Sequence, residues 1–138
     1  MSDAEKIIYD EFPDAIRRVR AALADRETMD EAVPLALQLL EHGWTSGSQE
    51  TLVGLAWDRL GLGAGMSASL LFPEAYDYTL LVTPRVDDAA LLNEGRDLAL
   101  AAADALDVLC AEAGQQDDRR RVMVSTAAAL RAAARWPE

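Results

Sequence analysis

Cysteine and histidine occur once each, aromatic residues make up 6% of the 138-residue chain, and no run of 18 or more apolar residues is present. The lone Cys110 excludes an internal disulfide. With His42 as its only possible partner, it cannot supply a zinc site of the common kinds, so no metal and no cofactor are expected. The absent apolar run excludes a membrane-spanning helix. The start, MSDAEKII, is polar and acidic rather than basic and then apolar, so the protein is expected to be unexported and cytoplasmic. There is no G-x-S-x-G elbow, no Walker motif, no H-E-x-x-H and no paired E-x-x-H of the carboxylate-bridged metal bundles. A triad can be drawn from Ser46 or Ser48, His42 and some aspartate, but such triads can be drawn in most sequences and this one carries no weight.

The abundant residue is alanine, at 26 positions. Many alanines and few rings favour helices that approach closely through small side chains. A hydrophobic content of 51% and a mean hydropathy of −0.03 suit one globular domain, residues 1–138, built as a compact all-α bundle of about five to seven helices. The bias toward alanine, arginine and aspartate is that of a GC-rich bacterial genome and says nothing of function.

Net charge is −11, which disfavours nucleic acid and anionic membranes, since both require a basic surface. The charge is uneven: −6 over residues 1–60 (12 acids, 6 bases), −9 over 61–118 (11 acids, 2 bases) and +4 over 119–138 (1 acid, 5 bases). The basic final segment is expected to settle part of the imbalance against acidic neighbours.

One long stretch organises the rest. From Asp87 to Gly114, a turn of 100° per residue gathers Leu91, Leu92, Leu98, Ala99, Ala102, Leu106, Leu109, Cys110 and Ala113 on one face. Glu94, Asp97, Asp104, Asp107 and Glu112 fall on the other. This predicts a central helix over about 88–113, capped by Asp87 or Asp88, closed by a left-handed Gly114, and burying an inert thiol at Cys110.

Elsewhere, Ser2-Asp3-Ala4-Glu5 has capping-box spacing and predicts a short helix to about Glu11. Pro13 fits the first turn of a second helix that carries Ile16, Val19, Arg20 and Leu23 toward Arg26. A second capping box, Thr28 to Glu31, precedes Val33 to Leu40, with Pro34 favouring a start at Asp30 or Glu31 and Gly43 ending the helix. A helix capped by Ser46 or Ser48 then runs through Trp57 to Leu60 and stops at Gly61 and Gly63, giving a helical hairpin of 31–42 and 49–60. Asp117 or Asp118 caps a last helix over about 119–135, with Val122, Met123, Thr126, Ala127, Leu130, Ala133 and Ala134 inward and Arg120, Arg121, Arg131 and Arg135 as a basic stripe. The Trp136 indole is expected to fold back on the bundle.

Residues 61–84 stand apart, because Glu74 and Asp77 are their only charges. Met66 to Phe72 predicts a short buried helix. Tyr76 to Val82 has strand-like composition, but a lone strand lacks a partner, which points to a helix or an extended buried crossing. Were Glu74 and Asp77 buried there, desolvation would raise their pKa values toward neutrality, and helical spacing would let them share a proton beside Tyr76 and Tyr78. The plainer reading is that Glu74 complements a helix dipole and Asp77 faces water. Similarly, His42 and Trp44 either finish a helix end or, with Ser46, line the mouth of a pocket against residues 61–84.

Two functions of different class follow. The first is a small-molecule-binding protein with an apolar cavity lined by residues 66–78, extending to acid–base catalysis of the isomerase, cyclase or lyase type. Asp77 and Glu74 would be its acid–base pair, and Tyr76, Tyr78, His42, Trp44, Ser46, Met66 and Phe72 its ligand contacts. The second is a non-catalytic inhibitor, immunity protein or adaptor presenting Asp97, Asp104 and Asp107 to a basic partner. Self-association through an incompletely covered apolar face is a third expectation.

Overall fold

The computed structural model describes residues 8–47, 50–72, 80–114 and 117–136. Five helices form an all-α bundle: α1 (Phe12–Leu23), α2 (Arg26–Thr45), α3 (Leu52–Leu71), α4 (Ala89–Glu112) and α5 (Arg119–Ala134). Two three-residue strands, β1 (Ile8–Asp10) and β2 (Leu80–Val82), add a small parallel ladder in which Ile8, Tyr9 and Asp10 pair with Leu80, Leu81 and Val82.

The long helix is central, since α4 packs against each of the other four helices. Its stripe from Leu91 to Cys110 is buried as the spacing requires, with Leu98, Ala99, Ala102 and Leu106 wholly enclosed and Cys110 8% exposed. Asp88 caps it by accepting from the Ala90 N–H at 2.8 Å. Closure differs from expectation. Ala113 leaves the helix with extended backbone, so Gly114 is not needed in a left-handed turn. The acidic face of α4 is a seam of ion pairs: Arg17 and Arg20 of α1 reach Glu94 (2.7 Å) and Asp97 (3.6 Å), Arg26 of α2 reaches Glu112, and Arg131 of α5 reaches Asp104 (2.7 Å) and Asp107 (2.5 Å). Part of the charge imbalance is therefore settled between helices.

Several boundaries move, each for a packing reason. The residues before α1 are not all helical, because Ile8–Asp10 form a strand that pairs with β2 and supplies the partner a lone strand needs. The Ser2 capping box lies outside the described residues. Pro13 does occupy the first turn of α1. The cap of α2 is Asp25, which accepts from the Glu27 N–H at 3.0 Å, while the Thr28 hydroxyl donates back to the Ala22 carbonyl. Pro34 sits inside α2: the carbonyl it leaves without an intrahelical partner belongs to the exposed residue Asp30, and the buried Pro34 ring joins the core face. Gly43, Gly61 and Gly63 do not break their helices. Gly43 lets the Trp57 ring lie against α2, and Gly61 lets Trp44 lie against α3, so both are sites of close approach within continuous helix. Consequently α2 and α3 make a hairpin longer than expected, and the short helix placed at 66–72 is the last part of α3. At the other end, Asp117 accepts from the Arg119 N–H at 2.9 Å, and Trp136 folds back so that the Arg59 guanidinium lies 5.0 Å from its ring centre.

Candidate functional site

Glu74, Tyr76, Asp77 and Tyr78, the core of the expected pocket, lie outside the described residues. Met66 lies in α3 with its side chain outside the described set, and Phe72, half-buried, packs on the core just after that helix. The structure does bring His42 and Ser46 to the segment that follows. His42 Nε2 lies 3.1 Å from the Thr83 carbonyl, and the Arg85 N–H donates to Ser46 Oγ at 3.2 Å. A carbonyl can only accept, so Nε2 carries the proton in this bond and cannot act as a base through that nitrogen. Trp44 turns the other way, onto Gly61 of α3.

Thr83 ties three elements at one point. Its hydroxyl accepts from the Phe12 N–H (2.9 Å) and donates to Glu11 (3.0 Å), while its carbonyl takes His42. Beside it, Arg85 is the one charged side chain among the buried described residues, 4% exposed. Its Nε donates to the Gly43 carbonyl near the end of α2, its Nη1 pairs with Asp87, and its guanidinium lies 5.8 Å from the Trp57 ring centre. Helix C-termini leave carbonyls without intrahelical donors, so a buried guanidinium with five N–H groups is well matched to this place. The ring of Phe12 completes the cluster, 5.3 Å from His42 and 5.5 Å from Trp57. Chemically, this junction fastens the β2–α4 connection to α2. Among the described residues no group of His, Cys, Asp or Glu could hold a metal ion.

Two surface features lie away from that junction. A groove of about 270 Å³ between α1, α2 and α4 has Leu23, Met29, Ala101, Ala105 and Val108 along it and Arg20 and Asp104 beside them. The other is the outward side of α3. Leu52, Leu55, Leu62 and Leu70 are exposed by 63%, 45%, 42% and 66%, on a helix whose only charges are Asp58 and Arg59. Its inward side, with Trp57, Leu60, Ala64 and Leu71, is wholly or almost wholly buried, so α3 presents leucines outward as well as inward. Helices of that kind are normally covered on every side.

Sequence reasoning missed Arg85, although it is one of only two bases in residues 61–118. It also missed which apolar face was left open. The 3-4-3 spacing of Leu52, Leu55, Arg59 and Leu62 was available as a signal, but the helix was read as ending at Leu60. No family model, no curated protein and no solved structure matches the chain.

Proposed function

We propose that this is a non-catalytic interaction protein that docks through the outward face of α3. The observation that carries this is the row of four leucines left 42–66% exposed along one helix. Covering what remains of four half-exposed leucines is worth on the order of 4 kcal/mol, a driving force that a monomer in water leaves unused. The acidic face of α4 is the weaker candidate for docking, because Asp97, Asp104 and Asp107 already face arginines of α1 and α5. A photo-crosslinking amino acid placed at position 55 or 62 in the cells that make the protein is expected to give protein adducts, and one at Leu100, on α4, is not. Adducts at 100 but not at 55 or 62 would overturn the assignment.

The small-molecule reading keeps one supporting observation: His42 and Ser46 are bonded to Thr83 and Arg85, which continue the stretch that holds Asp77. It requires that Asp77→Asn with Glu74→Gln abolish binding of whatever compound copurifies with the protein. Unchanged retention of that compound would remove this reading.

A further inference from the structure

Resting on α3 as the docking face, we propose that its occupant is a second copy of this chain, related by a two-fold axis parallel to α3 so that the two α3 helices run side by side in the same direction. The spacing of the face fits this. Leu52, Leu55, Arg59 and Leu62 recur at intervals of three, four and three, about one and a half heptads of the 3.5-residue period that keeps one seam facing a partner helix, and Leu70 lies one residue off that register at the seam's flank. Arg59, the single charge in this seam, is drawn sideways onto the Trp136 ring, which leaves the leucines to meet.

Charge selects both the partner and its direction. Two chains of net charge −11 repel unless the surfaces that meet carry no excess of acid. One edge of the α3 face, toward α2, has Asp58 and has Glu41 beside Gly65; on the other side, where Ala129 lies against Gly63, α5 and the residue after it expose Arg119, Arg121 and Arg135 against one exposed acid, Asp118, at the start of the helix. A two-fold axis parallel to α3 sets the α2 edge of one copy against the α5 edge of the other, acid against base. An axis across α3 would set acid against acid and base against base. Size also fits. A 20-residue helix is about 30 Å long and, at about 8–10 Å between helix axes, a strip out to the axes of α2 and α5 is about 16–20 Å wide, or roughly 500–600 Å² per partner, the size of a weak interface that dissociates on dilution.

Sedimentation velocity on the intact chain, from about 1 µM to 1 mM, tests this. A concentration-dependent dimer is expected. Leu55→Lys with Leu62→Lys should weaken it by about 100-fold or more while keeping the wild-type circular dichroism spectrum, since both side chains already face water. In a Cys110→Ala background, Leu55→Cys alone should form a disulfide-linked dimer, because like positions meet under a parallel axis. A dimer that survives the double lysine variant would overturn the proposal. So would crosslinking that needs Leu52→Cys mixed with Leu70→Cys, the pairing of antiparallel helices. A wild-type monomer at every concentration, with photo-adducts from position 55 or 62 to another protein, would sink the second copy and leave the docking face standing. A monomer with no such adducts would sink both.

Discussion

Replacing Gly95 by alanine sets two effects of opposite sign against each other, and the geometry around Trp57 decides between them. Gly95 lies within α4, where alanine is favoured over glycine by about 1 kcal/mol. A methyl group there would meet the indole, with Cζ3 at 2.7 Å and Cζ2 at 3.0 Å, against ordinary carbon contacts of about 3.5–4.0 Å. The ring cannot move aside easily. It is 0% exposed, the same Cζ3 edge lies against Gly43 of α2, Phe12 stands 5.5 Å away, and Arg85 lies 5.8 Å from the ring centre. The overlap therefore belongs at the upper end of the overpacking range, about 3 kcal/mol, for a net destabilisation of about 2 kcal/mol. In urea unfolding followed at 222 nm, with a slope near 2 kcal/mol/M, the midpoint should fall by about 1 M. Gly63→Ala is the control: its added methyl would meet Ala129 Cβ at 3.5 Å, an ordinary contact, so it should raise stability by about 0.5–1 kcal/mol. Trp57→Phe should remove most of the Gly95→Ala penalty, giving a coupling of about 1 kcal/mol or more in a double-mutant cycle. A Gly95→Ala protein as stable as the wild type would refute the clamped indole.

Three further outcomes are expected. Arg85→Met should cost about 2–3 kcal/mol in the same unfolding assay, below the usual 3–5 for breaking a buried pair because Asp87 is 32% exposed and can be rehydrated; a loss under about 0.5 kcal/mol would show that the guanidinium does not fasten α2. The hydrogen bond from Arg26 holds the Glu112 carboxyl below its ordinary value of 4.5, and that from Arg119 holds Asp117 below 3.8. A folded pKa below the unfolded one gives stability that is present above the unfolded value and lost as pH falls through the folded one. The stability gap between wild type and Glu112→Gln should therefore narrow as pH falls from about 5 to 3, and a constant gap would count against the pair. Cys110, 8% exposed, should react with a thiol reagent only as fast as the bundle opens, and at least about 100-fold faster in urea; equal rates would place the thiol at the surface.

How much was legible differs by element. The face of α4 was readable because a 24-residue helix repeats its apolar stripe over more than six turns, so local periodicity alone identifies the buried side. The β1–β2 ladder was not, because its partners are 72 residues apart (Ile8 and Leu80) and three residues carry no periodic signal. Glycine misled at positions 43, 61 and 63. A missing side chain reads as a helix stop in one dimension, whereas in three it is the space a ring of another helix occupies at Gly43 and Gly61, and a contact with Ala129 of α5 at Gly63. Of the residues expected to line a pocket against 61–84, His42 and Ser46 bond instead to the backbone of Thr83 and Arg85, and the buried charge of Arg85 lies some 40 residues from them in sequence, where no local pattern connects the two.

By itself, the sequence determined the class: alanine-rich, ring-poor amphipathic segments can bury their apolar stripes only against one another, and that makes a helical bundle around the longest of them. Tertiary structure alone decided which charges cancel and which leucines stay in water. The arginines of α1, α2 and α5 meet the acids of α4 only because those helices pack on it, and α3 keeps an open apolar side only because no described element of the chain lies over it. Periodicity reports that a face wants cover; only the arrangement of the other helices reports whether it has found any.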